Sequence, residues 1–350
     1  MFHDLTVSAV RPEGADAVAV SFAVPAPLAR AFAFRPGQYL TLRAKVAGAD
    51  IRRSYSIASA PGAPLTVGIR YVPGGAFSGF AQALRPGDVL QVMPPQGRFV
   101  AAGTEADLLL IAAGSGITPM VGIAAEALAR GARVTLVYGN RDTAHIMFRE
   151  TLEALKDRYL GRFTLVHVLS REVQDVALLN GRVDAARIMA LARAGVIDPL
   201  AADGVFLCGP GGMIDAVSDT LVDAGLPADR LHLERFTVEG DTGRAPRSDL
   251  AEAAANRGVE VTVLLDGVQR RFHVGSQDGS VLEAAERAGL ELPYSCRGGM
   301  CCTCRCKMTD GAAEMAVNYS LEPWEIAAGF VLACQARPTT ARIALDFDAV

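Results

Sequence analysis

The chain contains 350 residues, a length that predicts two or three domains rather than a single core. Hydrophobic residues make up 51% and charged residues 21% of the sequence, which is ordinary for a globular protein and excludes disordered, collagen-like and coiled-coil chains. The formal net charge of −4 argues against a protein that binds nucleic acid, because such proteins carry a basic surplus.

The N-terminal residues have no basic head followed by an apolar stretch, so we expect no signal peptide and a cytoplasmic location. A membrane-spanning helix needs an uninterrupted apolar run of roughly 18 residues. The longest candidate, 108–125, is interrupted by Gly114, Gly116 and Pro119. We therefore expect no membrane interaction.

Short strands separated by Pro-Gly pairs fill the first hundred residues. Their alternating runs lie at 17–24, 38–46, 53–59 and 65–72. Regular short strands with such turns are typical of an antiparallel barrel or sandwich. We predict an antiparallel β-barrel over residues 1–102.

From residue 103 onward, apolar strands alternate with helices. Strands are predicted at 107–113, 133–140, 163–170 and 204–210, and helices at 120–131 and 144–159. This alternation is typical of a parallel sheet covered by helices on both faces. We expect this α/β domain over residues 103–237, followed by an exposed linker at 238–257 where the strand pattern is lost.

Residues 258–350 are predicted to form a third, α+β domain. Two alternating runs over 259–274 flank Asp266 and Gly267, a pair that favours a β-hairpin. A helix at 280–288, a cysteine-rich segment and a strand at 342–347 follow. This segment carries 12 Asp and Glu residues against 8 Lys and Arg residues, so it holds the whole negative surplus.

The cysteines of this segment have the spacing of an iron–sulfur site. Cys296, Cys301 and Cys304 follow the pattern C-x4-C-x2-C, and Cys334 comes 30 residues later. Plant-type [2Fe–2S] clusters are bound by cysteines with this spacing. The alternative, a four-cysteine zinc site, usually shows two closely spaced pairs. Cys302 does not fit the spacing and is not expected to be a ligand.

The order of hairpin, helix, Ser-Cys-Arg-Gly-Gly loop and distant cysteine resembles plant-type ferredoxins over residues 260–350. The resemblance implies a β-grasp-like domain with Cys296, Cys301, Cys304 and Cys334 as the cluster ligands. The roles of Cys302 and Cys306 stay open.

The motif Arg53-Ser54-Tyr55-Ser56 resembles the Arg-x-Tyr-Ser flavin motif of the ferredoxin–NADP reductase family. The resemblance implies that Arg53 pairs with the FAD pyrophosphate, that Tyr55 stacks on the flavin and that Ser56 lies near flavin N5. These roles suit the chemistry, because a guanidinium binds phosphate bidentately and an aromatic ring covers a ring face. Without the resemblance, the motif is equally typical of a plain strand.

A glycine pair stands before a predicted helix further along the barrel segment. Gly75 and Ser78 are expected to bind the other side of the pyrophosphate, because amides and hydroxyls at a helix N-terminus attract anions. Ser78 can equally be a simple N-cap.

A glycine turn connects the first strand of the α/β domain to its helix. Gly114, Gly116, Thr118 and Pro119 stand where Rossmann-like sheets bind a dinucleotide. The turn lacks the full Gly-x-Gly-x-x-Gly pattern, and a tight turn without a ligand is the alternative. Its Thr-Pro ending resembles the turn that binds the nicotinamide dinucleotide in the reductase family.

Cys208, Gly209 and Pro210 resemble the edge that lies beside nicotinamide C4 in the same family. The resemblance therefore makes Cys208, together with Tyr55 and Ser56, the expected catalytic residues. On its own, Cys208 is equally typical of a buried core thiol.

Basic residues near two strand ends bear on the choice of nucleotide. NADP sites offer arginine to the 2′-phosphate, whereas NAD sites offer an acidic residue to the ribose. Arg141 follows one strand, and Ser170 and Arg171 follow the next, where they resemble the phosphate site of NADPH-using relatives. We expect NADPH rather than NADH, although Asp142 and Glu172 leave open a simple surface pairing of the arginines.

Together these segments resemble, over nearly the whole chain, the FAD- and [2Fe–2S]-containing reductases of bacterial multicomponent oxygenases. The resemblance implies transfer of electrons from NADPH through FAD and the cluster to a di-iron oxygenase. Within this family, residues 315–338 are most similar to the reductases of phenylacetyl-CoA ring epoxidation in phenylacetate breakdown. The alternatives are a reductase of another ring or steroid oxygenase, a stand-alone ferric or quinone reductase, and a nucleotide-binding protein with a zinc-stabilised tail.

Overall fold

The computed structural model describes residues 2–236 and 245–349. The chain divides into two compact units, Met1–Phe236 and Thr237–Val350. Among the described residues, no helix has both the length and the apolarity needed to cross a bilayer.

The first unit begins with a six-stranded antiparallel sheet. Its elements are β1 (His3–Glu13), β2 (Ala17–Ala23), β3 (Tyr39–Val46), β4 (Ala49–Ser56), β5 (Leu65–Arg70), α1 (Ala76–Ala81) and β6 (Val89–Val92). The strand order is β4-β3-β6-β1-β2-β5, and a bridge between Ile57 and Val67 joins the two ends of the sheet. The sheet therefore closes around an apolar core, which confirms the predicted barrel.

A five-stranded parallel sheet forms the rest of the first unit. Its elements are β7 (Asp107–Ala113), α2 (Ile117–Arg130), β8 (Arg133–Asn140), α3 (Arg149–Arg158), β9 (Phe163–Leu169), α4 (Ala185–Arg193), β10 (Gly204–Gly209), α5 (Gly211–Asp223) and β11 (Leu231–Arg235). The strand order is β11-β10-β7-β8-β9. Separate apolar cores on the two faces of the sheet confirm the predicted α/β domain.

Helix α3 begins five residues later than the sequence predicts. Asp142 accepts a hydrogen bond from the backbone N–H of His145 at 3.2 Å and caps a short 3₁₀ turn instead. Phe148 then has a φ of +56°, and its N–H donates to Glu13 at 2.8 Å. A left-handed residue cannot continue a right-handed helix, so α3 starts only at Arg149.

The barrel and the parallel sheet are packed together through α2. A Cβ atom at Gly68 in β5 would lie 2.7 Å from Cγ2 of Thr118, and one at Gly122 would lie 2.9 Å from the carbonyl oxygen of Ser59. Glycine at these positions allows the helix to approach the barrel closely.

The second unit is a mixed sheet covered by helices. Its elements are α6 (Asp249–Arg257), β12 (Val259–Leu265), β13 (Val268–Val274), α7 (Val281–Arg287), β14 (Arg305–Asp310), β15 (Ala313–Met315), α8 (Pro323–Ala327), β16 (Phe330–Leu332), β17 (Ala336–Pro338) and β18 (Arg342–Asp346). The main sheet has the order β13-β12-β18-β14-β16, with β12 and β18 parallel. This arrangement confirms the predicted β-grasp-like α+β fold.

The segment 238–257, expected to be an exposed linker, is described only from residue 245, and residues 237–244 lie outside the described residues. Its C-terminal half is helix α6, whose Ala251 and Ala254 are buried. The guanidinium of Arg337 also donates to the carbonyl of Ala245 at 2.7 Å. The small alanine side chains pack α6 within the second unit, contrary to the expected exposure. The predicted boundaries at 102 and 237 stay predictions.

Candidate functional site

The glycine turn before α2 lies where the parallel sheet changes its direction of strand addition. Strands β8 and β9 follow β7 on one side, whereas β10 and β11 lie on the other. Ligands bind such sheets in the crevice at the carboxyl ends of the strands at this switch point. Gly114 and Gly116 follow β7, Gly209 ends β10 and Pro210 precedes α5. The structure thus brings the predicted dinucleotide-binding residues to one edge.

Gly116 allows the turn to contact the end of β10. A Cβ atom at this position would lie 2.1 Å from the carbonyl oxygen of Cys208. Gly114 has a φ of +56°, in the left-handed region that favours glycine. Its carbonyl accepts a hydrogen bond from the Tyr138 hydroxyl at 3.1 Å. Both glycines are therefore required by the backbone of the turn.

Thr118 and Pro119 lie inside the protein. The Thr118 hydroxyl donates to the carbonyl of Ser115 at 2.9 Å, and its methyl group packs against Gly68. Pro119 is buried in the first turn of α2, where proline is tolerated. The side chains of both residues thus shape the turn.

The Arg-Ser-Tyr-Ser motif lies along β4 beside α1. The guanidinium of Arg53 donates to the carbonyl of Arg52 at 2.8 Å. The half-buried ring of Tyr55 lies 5.6 Å from the Phe77 ring, measured between centroids. Ser54 and Thr41 lie opposite each other, with their hydroxyls 3.4 Å apart. An aromatic ring and an arginine that both retain exposed surface are available to a ligand on this face.

Ser78 holds the loop that precedes α1. Its hydroxyl accepts a hydrogen bond from the N–H of Val72 at 3.1 Å and donates to the carbonyl of Gly75 at 3.2 Å. The N-cap of α1 is Gly75, so Ser78 is not the simple N-cap that the sequence left open. At Gly74, with a φ of +78°, an added Cβ atom would meet no atom within 4 Å, so this loop is open on its outer side.

Three polar side chains from separate strands meet where the barrel contacts the parallel sheet. The Ser56 hydroxyl, at the end of β4, donates to Oε2 of Glu234 at 3.2 Å. Glu234 in β11 stands opposite Cys208 in β10. Burial of the carboxyl raises the pKa of Glu234 to about 8, although the residue keeps part of its surface in contact with water. Burial, together with the charge of Glu234, also raises the pKa of the Cys208 thiol.

The three predicted phosphate-binding residues have different surroundings. Nη2 of Arg141 lies 2.6 Å from Oδ2 of Asp16, and Arg70 contacts the same oxygen at 3.0 Å. Arg141 thus belongs to an ion-paired group between the barrel and the sheet. The Ser170 hydroxyl donates to the carbonyl of Asn140 at 3.3 Å and marks the carboxyl end of β9.

Arg171 is exposed, and its two acidic neighbours are engaged elsewhere. Glu172 accepts hydrogen bonds from the N–H and the hydroxyl of Thr143, both at 2.7 Å. Asp142 lies 2.5 Å from Nδ1 of His145. Within residues 2–236 and 245–349, no ion pair involves the Arg171 guanidinium. Of the two guanidinium groups, that of Arg171 is therefore the one without an acidic partner in this part of the structure.

The four predicted cluster cysteines form two neighbouring pairs in the second unit. A hydrogen bond from the Cys301 thiol lowers the pKa of Cys296 to about 6. A hydrogen bond from the Cys304 thiol likewise lowers the pKa of Cys334. The two pairs also interact electrostatically, Cys304 with Cys301 and Cys334 with Cys296. Each pair thus favours a thiolate, the form that binds metal.

Hydrogen-bond donors surround these sulfur atoms. The N–H of Gly298 lies 3.3 Å from Sγ of Cys296, and Nε2 of Gln335 lies 3.5 Å from Sγ of Cys334. The same Gln335 amide donates to the carbonyl of Arg297 at 2.7 Å, so it ties the two ligand segments together. Donors of this kind tune the potential of an iron–sulfur cluster.

The two remaining cysteines of this segment have other environments. Cys306 is buried, its sulfur lies 3.8 Å from the carbonyl of Val331, and burial raises its pKa. Cys302 has a φ of +55° and lies outside both pairs. In the described part of the chain, no three His, Cys, Asp or Glu side chains converge on one metal ion. Two adjoining pairs suit a centre with two metal atoms better than a single zinc ion.

Three protein-family models match the chain in succession. The oxidoreductase FAD-binding domain matches residues 4–100, and the oxidoreductase NAD-binding domain matches 110–219. The 2Fe-2S iron-sulfur cluster binding domain matches 263–339. Each match falls within the part of the chain that forms one of the three main sheets described above.

Known proteins match this chain over nearly its whole length. The chain is 44% identical to a subunit of the 1,2-phenylacetyl-CoA epoxidase of Escherichia coli, over 99% of this chain and 98% of the relative. It is 37% identical to the ferredoxin reductase component of 3-ketosteroid-9-alpha-monooxygenase of Rhodococcus rhodochrous, over 98% and 96% of the two chains. The chain belongs to the family of FAD- and [2Fe–2S]-containing oxygenase reductases.

The solved structure of phthalate dioxygenase reductase has the same fold as this oxygenase reductase. The two match with a TM-score of 0.58 and 22% identity over 99% of this chain and 98% of the other. The reductase is thus an NAD(P)H-dependent oxidoreductase whose cofactors are FAD and a [2Fe–2S] cluster. The two thiol pairs with their N–H donors fit the cluster, and the open face beside Arg53 and Tyr55 fits the flavin.

Glu234 is the site residue that sequence reasoning missed. Its partner Ser56 lies 178 positions earlier in the chain, so no local spacing links them. The only local signal is an acidic residue at the end of a short strand that adjoins the strand of Cys208.

Proposed function

We propose that this reductase is the electron-donating component of a cytoplasmic phenylacetyl-CoA epoxidase, that it uses NADPH and that it serves a di-iron oxygenase. The observation that carries the proposal is the 44% identity to the Escherichia coli epoxidase subunit over nearly the full length of both chains. A second candidate, a steroid-oxygenase reductase, is supported by the 37% identity to the Rhodococcus rhodochrous protein.

FAD converts the two electrons of a hydride into single electrons, and the [2Fe–2S] cluster passes on one electron at a time. The residues of the chain position the cofactors and the nicotinamide. Gly116 lets the turn after β7 rest on the end of β10 beside Cys208, where a nicotinamide would bind. Arg53 and Gly75 would hold the pyrophosphate of FAD, and Tyr55 would cover its ring system.

Ser56 and Glu234 determine the protonation of the carboxyl group that lies beside Cys208. With a pKa of about 8, the Glu234 carboxyl holds a proton at neutral pH. A neutral carboxyl does not repel an arriving electron pair, whereas a carboxylate next to the Ser56 hydroxyl would. Burial therefore favours the protonated Glu234 carboxyl, whereas the hydrogen bond from Ser56 acts in the opposite direction, and no general acid or nucleophile is required of the chain.

The choice of NADPH rests on Ser170 and Arg171 at the end of β9. Arginine binds the 2′-phosphate in NADP sites. Arg171 is exposed and its acidic neighbours are bound to Thr143 and His145, so its charge is not neutralised locally. Arg141 is held by Asp16 and is the less suitable of the two.

Reconstitution with oxygenase components tests the proposed function. The purified reductase is mixed with NADPH and the phenylacetyl-CoA oxygenase component of the same organism, and oxygen uptake is measured with and without phenylacetyl-CoA. We expect uptake that depends on this substrate. Uptake with a 3-ketosteroid oxygenase instead would favour the second candidate. If the reductase reduces ferricyanide but produces no substrate-dependent oxygen uptake with either oxygenase, both candidates are contradicted and a stand-alone reductase is indicated.

A further inference from the structure

The only tryptophan of the chain is exposed on the second unit. Trp324 lies in α8 with 61% of its surface exposed, and Ile326 in the same helix is 47% exposed. Tyr319 precedes the helix and is 51% exposed, and Pro323 is exposed as well. We call these four residues the α8 patch. Exposed apolar groups of this size mark interaction sites, and tryptophan and tyrosine are enriched among residues that dominate binding energy.

A buried ion pair fixes this helix to the cluster segment. Glu325, between the two exposed side chains, is completely buried, and its carboxylate lies 2.7 Å from Nε of Arg305. Arg305 directly follows the ligand Cys304, and its guanidinium lies 3.5 Å from the centre of the Phe330 ring. Glu325 also accepts a hydrogen bond from the N–H of Glu322 at 3.0 Å, which closes the first turn of α8. Trp324 is therefore presented on a fixed helix.

The α8 patch also contacts the ligand loop at a second point, between Cys296 and Cys301. The N–H of Tyr319 and the hydroxyl of Ser320 both donate to the carbonyl of Gly299, each at 3.1 Å. Gly299 lies between the ligands Cys296 and Cys301. A protein that covers the α8 patch therefore approaches the loop that carries Cys296, Cys301 and Cys304, which is the approach that an electron acceptor needs.

The distribution of net charge along the chain favours a separate protein as the partner of the α8 patch. Residues 258–350 carry 12 acidic and 8 basic residues, whereas residues 1–257 carry 26 of each and offer no opposing net charge. Five of the basic residues are neutralised by acidic neighbours within the second unit. These are Arg271, Arg287, Arg297, Arg305 and Arg342. A complementary partner has basic residues around an apolar socket.

We propose that the α8 patch is the docking site for the oxygenase component that accepts electrons, with Trp324 inserted into an apolar socket of that component. This inference rests on the proposed function, because it takes an oxygenase as the partner. Basic residues around the socket face the acidic surface of the second unit, so the interaction weakens as salt rises.

Binding is measured by calorimetry between the oxidised holo-reductase and the phenylacetyl-CoA oxygenase component of the same organism, without NADPH. We compare the wild type with Trp324→Ala, Trp324→Phe and the control Val268→Ala. Val268 is 49% exposed and lies in β13, at the opposite edge of the sheet from β16. Visible absorbance confirms that each variant retains its flavin and cluster.

We expect Trp324→Ala to raise the Kd about 30-fold or more, as loss of an interface hot spot does. Trp324→Phe should recover most of the affinity, and Val268→Ala should change the Kd less than twofold. Unchanged binding by Trp324→Ala would overturn the docking proposal while the proposed function stands. The docking proposal also fails if the variant instead slows transfer from flavin to cluster within the reductase, or if it abolishes self-association. If the wild type itself does not bind this oxygenase, the proposed function fails and the docking proposal falls with it.

Discussion

The half-buried Glu234 makes the stability of the first unit depend on pH. The pKa of its carboxyl is raised from 4.5 to about 8. Between these values the folded unit keeps a proton that the unfolded chain has released. The stabilisation is therefore complete below about pH 4.5 and is lost as the pH rises through about 8. Glu234→Gln removes the titration and should flatten this dependence.

The magnitude follows from the two pKa values. At about 1.36 kcal/mol per pH unit, the difference corresponds to nearly 5 kcal/mol. Because Glu234 keeps part of its surface in contact with water, solvent screening reduces this to about 2–3 kcal/mol. A unit of this size changes its Tm by about 2–4 °C per kcal/mol. We expect the wild-type Tm to fall by roughly 5–10 °C more than that of Glu234→Gln between pH 5 and pH 9.

The release of flavin on heating is a suitable assay, because its fluorescence reports the first unit alone. Melting curves of the full-length holo-protein are recorded from pH 5 to pH 9. Glu153→Gln is the control, since Glu153 is an exposed carboxylate paired with Arg149 in the same unit. The control should follow the wild type. A constant difference in Tm between wild type and Glu234→Gln at every pH would refute the reasoning.

Three further substitutions test the other parts of the site. Arg171→Ala should raise the KM for NADPH about 10–100-fold more than that for NADH, whereas equal changes in steady-state KM would show that the arginine is structural. Cys334→Ser should lose the cluster, as measured by iron analysis, and should no longer deliver electrons to the oxygenase, whereas FAD should stay bound and ferricyanide should still be reduced. Loss of FAD would show that the two units are not independent. Gly116→Ala should slow stopped-flow flavin reduction at least about tenfold, because the new Cβ displaces the end of β10. Gly212→Ala, with no atom within 4 Å of the added Cβ, should not.

Local patterns explain which parts of the fold could be predicted. The strand at 107–113 has the predicted bounds, because a fully buried strand is a continuous apolar run. The hairpin around Asp266 and Gly267 is also as predicted, since both residues adopt the positive φ that such a turn requires. The cysteine spacing indicated the cluster domain, which the family model confirms.

Features that depend on distant contacts could not be predicted. The start of α3 is set by a hydrogen bond from Phe148 to Glu13, which belongs to the barrel. The segment that leads into α6 is held by Arg337, whose guanidinium donates to the carbonyl of Ala245, 92 positions earlier in the chain. The role of Arg141 was left open because the sequence does not show its partner Asp16. In each case the deciding partner lies in another element.

The two candidate arginines have surroundings that suit different tasks, one structural and one in the proposed phosphate site. Arg141 shares the carboxylate of Asp16 with Arg70, and this group connects the barrel to the parallel sheet. Removing the charge of Arg141 to fit a different nucleotide would take away one of the two ion pairs that Asp16 makes at that junction and leave only the pair with Arg70. Arg171 lies at an exposed strand end and contributes no ion pair to the described structure. If Arg171 binds the 2′-phosphate as proposed, specificity for this group could change there without cost to the ion pairs that connect the barrel to the parallel sheet.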